Sequence, residues 1–179
     1  MTLWGDNDTI IEAITVDHKN KKIYASAYSL KQRNYSLAHQ NGPAGQDNFK
    51  MPAYTVYETD FGLKEKTKLF SKNYWIRMLM NNDGHIIALC DKKYNQGQVP
   101  STVIDYDLTD RSLNVSQWET ARLQRGDANY SSDSNKIYTI AVIKNTRGLY
   151  EYDVKNRKFT PIFTPKEGFI NNIRVVKRS

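Results

Sequence analysis

Three short segments of this sequence close in the same way, and their spacing limits the fold more than any other feature. VYETD ends at Asp60, VIDYD at Asp107 and LYEYD at Asp153, so the closing aspartates stand 47 and 46 residues apart. A polar turn and a further apolar piece follow each one, ending at Phe70, Trp118 and Phe163, which lie 10, 11 and 10 residues past the aspartate. Each segment is preceded by a β-like run: IYASAY from Ile23, IIALC from Ile86 and IYTIAVI from Ile137. Before those runs stand the turn signals Asp17-His18-Lys19-Asn20, Asn82-Asp83-Gly84 and Asp133-Ser134-Asn135. Asn and Asp-Gly tolerate the positive φ of tight hairpins, so they separate paired strands. Further upstream lie IIEAITV, WIRMLM and the less apolar ANYSS.

The unit is thus four strands, a to d, repeated three times at just under fifty residues. Four short antiparallel strands at that period are the sequence form of a β-propeller blade. A blade buries both faces only when neighbours stack on it. The expected fold is therefore all-β: a single partial propeller domain over 1–179, with repeats at about 10–70, 75–118 and 127–163 and a further strand at 169–176. The competing arrangement is a β-sandwich, which also uses short strands and turn signals, although near-constant spacing is not its habit. Composition agrees with half-exposed strands, since hydrophobic residues make up only 39% of the chain while 12 residues are tyrosine.

The turn with Ser132 and Asp133, then Lys136-Ile137-Tyr138, then Leu149 to Asp153, resembles the repeat of TolB-type propellers, a WD-repeat-like group. In that family the a–b turn commonly reads Phe-Ser-Pro-Asp-Gly. Here Ser132 and Asp133 occupy the places of its proline and aspartate, with Ser134 in place of glycine. The second repeat keeps Asp83-Gly84 behind Asn81-Asn82, and the first has only Asp17. The resemblance implies a propeller, and a periplasmic or extracellular setting if a signal peptide has been removed, otherwise a cytoplasmic one. It leaves activity open, because such propellers bind proteins, bind sugars or gate a peptidase.

Thr2-Leu3-Trp4 resembles the end of a d strand and Phe169 to Val176 an a strand without its partners. Propeller rings have four to eight blades, so the expectation is either the rest of a longer propeller chain or a second copy beside this one. No apolar run approaches the ~20 residues of a membrane helix, and no membrane span is expected.

In this strand order the b–c and d–a connections share one face. The b–c connections vary most, running from Leu30 to Met51, Asp91 to Pro100 and Lys144 to Gly148, and a long d–a connection, ETARLQRGD, follows Trp118. That face is expected to gather Lys31, Arg33, Lys92, Lys93, Arg122, Arg125, Lys144 and Arg147, with Tyr35, His39 and Tyr94 among them. Cations interleaved with aromatic rings suit a polyanion or carbohydrate, through charge attraction and stacking, and a net charge of +7 is compatible with one. A protein partner is the other expectation. Catalytic signals are sparse. His18 and His85 fall in turns, His39 sits in the long first loop, and Asp105 and Glu151 hold equivalent c-strand positions. No spaced metal-ligand cluster or phosphate-binding loop is present, so no cofactor is expected. Cys90 lies in IIALC and reads as a small buried hydrophobe. The favoured reading is a non-enzymatic binding module; the alternative is a propeller-type enzyme or part of one, such as a polysaccharide lyase or a peptidase-associated domain, with His39 and Arg33 or Lys31 as its groups, or with its groups in sequence outside this chain.

Overall fold

A computed structural model of the chain describes residues 6–40, 49–82, 84–94, 102–117, 121–131, 136–168, 170 and 173, with the backbone alone at 82 and 121–131. Among the described residues twelve strands form three four-stranded antiparallel meanders. The first contains β1 (Thr9–Asp17), β2 (Lys22–Ser29), β3 (Tyr54–Asp60) and β4 (Lys66–Lys72). The second contains β5 (Trp75–Asn82), β6 (His85–Asp91), β7 (Thr102–Asp107) and β8 (Leu113–Gln117). The third contains β9 (Ala121–Ser131), β10 (Lys136–Ile143), β11 (Thr146–Asp153) and β12 (Lys158–Phe163). These are the blades of a partial β-propeller, and a β-sandwich is excluded because each meander is its own sheet. The strand expected at 169–176 lies outside the described residues, apart from Ile170 and Ile173.

The closing aspartates explain where the c strands stop. Asp107 Oδ1 accepts from the backbone N–H of Thr109 at 2.7 Å, and Asp153 Oδ1 accepts from that of Asn156 at 2.8 Å. At Asp60 the turn is made by the main chain, Leu63 N–H donating to the Asp60 carbonyl at 3.1 Å. An aspartate that captures an N–H two or three residues on ends a strand and starts a turn. Asp17 does the same for the first a–b turn, accepting from Asn20 N–H at 2.9 Å.

Packing follows from alternation. In β6, Ile86, Ala88 and Cys90 point to the first blade, and Ile87 and Leu89 to the third. Both faces are dry, which is why IIALC is continuously apolar where most strands alternate. Burial also pushes the Cys90 thiol far up, as expected of a buried hydrophobe. The first interface joins Tyr24, Tyr28, Tyr54, Val56 and Phe70 to Ile76, Leu79, Ile104 and Tyr106; the second joins Met80, Leu89 and Val103 to Ile137 and Tyr152.

The inner strands are tied directly. β1 has a bulge at Glu12, between the pairs Ile11↔Ala27 and Ala13↔Ser26, and β5 has one at Arg77, between Ile76↔Cys90 and Met78↔Leu89. A bulge re-aims its extra side chain. Glu12 accepts from Trp75 Nε1 of the next blade at 3.1 Å, and Arg77 pairs with Asp91 at 2.9 Å. Thr15 donates to Asn81 Oδ1 at 2.7 Å across the same interface.

Two departures from the sequence expectation matter for the site. The first b–c connection holds a helix, α1 (Leu30–Ala38), capped by Ser29, whose hydroxyl accepts from Gln32 N–H at 3.2 Å. The stretch read as a long polar connection after Trp118 is largely strand, since β9 begins at Ala121. Among the described residues no helix is long and apolar enough to cross a membrane.

If stacking of blades is the source of stability, Leu89→Ala should cost about 3 kcal/mol in urea denaturation. Leu63→Ala, in the exposed c–d turn of the first blade, should change stability by about 0.5 kcal/mol or less.

Candidate functional site

The face that carries the b–c and d–a connections is built on α1. Ser29 and Asp8 fix where the helix starts: Asp8 accepts from Lys31 N–H at 2.8 Å and from the Ser29 hydroxyl at 2.5 Å, and Leu30 N–H donates to the Asp8 carbonyl at 2.7 Å. Arg33 then pins the helix to the blades. Its guanidinium lies 5.6 Å from the ring centres of both Tyr28 and Tyr94. Its Nε is buried without a hydrogen-bond partner. A cation held over aromatic faces away from water is worth up to ~2 kcal/mol. Ser36 donates to the Lys50 carbonyl and Asn73 Nδ2 to the Met51 carbonyl at 2.8 Å, which fixes the chain returning toward β3.

Between α1 and that returning segment lies an open cleft of about 520 Å³, lined by Lys31, Tyr35, Lys50, Met51, Pro52 and Asn73 among others. Tyr35 is 63% exposed at its rim. The ring of His39 stacks on it at 4.1 Å, held by His39 Nδ1 donating to the Tyr35 carbonyl at 2.7 Å. The cleft therefore offers two amines, an exposed aromatic plane and an apolar floor.

The other expected site residues fall in different places. Lys92 is exposed and donates to Gln117 Oε1 at 3.2 Å; Lys93 lies over the Phe49 ring at 5.7 Å, beside Lys50 in the chain. Tyr94 is not at the surface: it is 1% exposed, packed on Trp75 and Phe49, with its hydroxyl 3.2 Å from that of Tyr54. Tyr94 and Arg33 thus form the support of the face, because an aromatic ring on a short loop is driven into the blade interface. Lys144 and Asn145 make a two-residue hairpin, both with left-handed φ, of 48° and 64°. Arg147 lies in β11, exposed, and Arg122 and Arg125 lie in β9, their side chains outside the description. The sequence reading overlooked Lys50 and missed α1. The capping pattern Ser29-Leu30-Lys31-Gln32 was the signal that could have found the helix.

His85 and Asp105 form a pair at 2.8 Å that has the look of a catalytic dyad. The repeat argues otherwise. Lys22 meets Glu58 at 2.7 Å and Lys136 meets Glu151 at 2.6 Å from the equivalent positions of the other blades. Each blade thus clasps strands b and c with one nitrogen-bearing side chain and one carboxylate. Among the described residues no group of three or more His, Cys, Asp or Glu is placed to hold a metal ion.

Beneath the face, burial pushes the phenols of Tyr28, Tyr54 and Tyr94 above their ordinary value; Tyr24, further along the same interface, is pushed up to about 12. A tyrosine ionising later when folded than when unfolded, where its pKa is near 10, stabilises the fold fully below about pH 10. That contribution is lost as pH rises through the folded value. The denaturation midpoint should therefore fall between about pH 10 and 12, and Tyr24→Phe should make the fall shallower by roughly 2–3 kcal/mol. A midpoint flat to pH 12 would contradict the packing described.

No protein-family model matches the sequence, and no curated protein does. Among solved structures the chain is similar to an oligogalacturonate lyase in complex with manganese, at 12% identity and a TM-score of 0.58, over 85% of this chain and 41% of that one. It also matches TolB from Acinetobacter baumannii (12% identity, TM-score 0.45, 84% of this chain and 45% of that) and an oligogalacturonate lyase from Vibrio parahaemolyticus (8%, 0.40, 91% and 56%). The chain spans less than two thirds of the length of each. The likeness to the first is one of fold, that of β-propeller blades.

Proposed function

We infer that this propeller unit is a non-enzymatic binding module that takes an anionic oligosaccharide on the face carrying α1. The observation that supports this reading is the cleft beside α1, where Lys31 and Lys50 flank an apolar floor and the exposed Tyr35 ring, backed by His39, stands at the rim. Sugar rings stack on such planes through their apolar C–H faces, and lysines can meet carboxylate or sulfate groups along a chain. Lys92 and Lys93 extend the positive charge along the same face. Pinning α1 through Arg33 keeps the platform rigid before binding, which lowers the entropy lost when a ligand docks.

The test is titration calorimetry with polygalacturonate and with its uncharged methyl ester. The acidic polymer should bind and weaken steeply with salt, since each neutralised contact releases counterions and screening shortens the reach of the rest. Lys31→Ala with Lys50→Ala should weaken binding by about tenfold and flatten the salt slope, each exposed contact contributing about 0.5–1 kcal/mol. Tyr35→Ala should weaken binding without changing that slope. Replacing Lys155 and Lys158, near the opposite end of the third blade, removes equal charge and should leave affinity nearly unchanged. Equal loss from both lysine pairs would mean that net charge alone attracts the polymer; no binding at low salt would end the proposal.

A further inference from the structure

The three blades share a register, so each side chain can be compared with its equivalent in the next blade. Ile11 stands opposite Ala27 as Ile76 stands opposite Cys90, and Ile14 opposite Ala25 as Leu79 opposite Ala88. In the middle blade Ile76 and Leu79 are 0% and 6% exposed, because the first blade covers them; in the first blade Ile11 and Ile14 are 37% and 56% exposed. The opposite side of the stack shows the same contrast. Phe70 is opposite Val56 as Phe163 is opposite Leu149. Phe70 is 6% exposed, its ring 5.3 Å from Tyr106 of the next blade, whereas Phe163 is 56% exposed. The first blade therefore shows, on its outer side, the kind of surface that the middle blade shows to its predecessor. The third shows the kind that the first blade shows to its successor.

Those two surfaces are complementary in type but sit at opposite ends of one stack. Three blades fall short of the four to eight that make a ring, and among the described residues the two surfaces do not meet. We propose that two copies of this chain close a six-bladed ring, the first blade of each seated on the third blade of the other. The contact continues the interface already made twice within the chain, with Ile11 and Ile14 taking the part of Ile76 and Leu79, and Phe163 that of Phe70. It occurs twice per ring, related by a two-fold axis along the propeller axis. The first blade of one copy meets the third of the other and the reverse, so the whole dimer contact is self-complementary about the two-fold axis and closes at two copies.

Sedimentation equilibrium of the full chain over a wide concentration range tests this. The expected result is a reversible monomer–dimer system that stops at twice the mass of one chain. Ile14→Glu and Phe163→Glu should each raise the dissociation constant by about a hundredfold or more, because a carboxylate would be buried without a partner. Both side chains are exposed in the single chain, so circular dichroism should show the fold retained. Mixing the two variants should restore part of the association, since one of the two contacts in the mixed pair has both native surfaces. Leu63→Glu, in an exposed turn away from both surfaces, should leave the dimer intact. A native chain that stays monomeric overturns the proposal whatever the variants do. So does an open-ended series of masses, or a dimer that either glutamate leaves unchanged.

Discussion

A sheet of four short strands has two faces, and in this protein the two core clusters form where one sheet covers another. The middle blade meets that condition on both sides, and its b strand is apolar at every position from Ile86 to Cys90 as a result. The flanking blades meet it on one side; burial alternates along β11, while β2 is buried from Tyr24 to Tyr28, its outward positions being the small Ala25 and Ala27. Hydrogen bonds within each meander set the strand spacing but do not discriminate among neighbours. What orders the blades is the interlocking of Tyr24, Tyr54 and Phe70 with Ile76 and Tyr106 on one side, and of Leu89 and Met80 with Ile137 and Tyr152 on the other. The cross-blade bond from Trp75 to Glu12 places the inner strands side by side, where a bulge has turned the carboxylate toward its partner.

The candidate site is a consequence of that scaffold. Among the described turns, those after Asp17, Asp107 and Asp153 are short and fixed by the aspartate side chain, and that after Asp60 by the main chain. The b–c connections have no such constraint and range from the Lys144-Asn145 hairpin to the segment that contains α1. A loop of that length gains a defined shape only if something holds it, and Arg33 over Tyr28 and Tyr94 does so. The aromatic and basic residues on this face therefore divide into two groups. Tyr94 and Arg33 face inward and support; Lys31, Tyr35, Lys50 and Lys92 face outward. Composition alone does not separate them, because a tyrosine or arginine serves either role depending on which side of the helix or loop it leaves.

Much of the fold was legible because it is repeated. Period, closing aspartates and apolar runs recur three times, and repetition distinguishes a signal from chance. Features that occur once were harder to read. α1 has many polar residues and buries Ser36, not an apolar stripe, and its capping pattern was hidden in a stretch that ends in Gly and Pro. β9 reads ARLQRGDANYS, with charges where its equivalents carry IIEAITV and WIRMLM, so propensity pointed to a loop while pairing with β10 made it a strand. The His85–Asp105 pair shows the reverse: only comparison with Lys22–Glu58 and Lys136–Glu151 identifies it as a clasp.

The central claim is that a blade is held by its neighbours more than by its own ladder. Amide hydrogen exchange, measured residue by residue on a chain kept monomeric by Ile14→Glu, tests it most directly. The account expects the amides of β6 and β7, covered on both faces, to exchange most slowly, with β2 and β3 and then β10 and β11 opening earlier. Equal protection of the three blades, or faster exchange in the middle one, would show that each sheet stands on its own hydrogen bonds and would contradict the account.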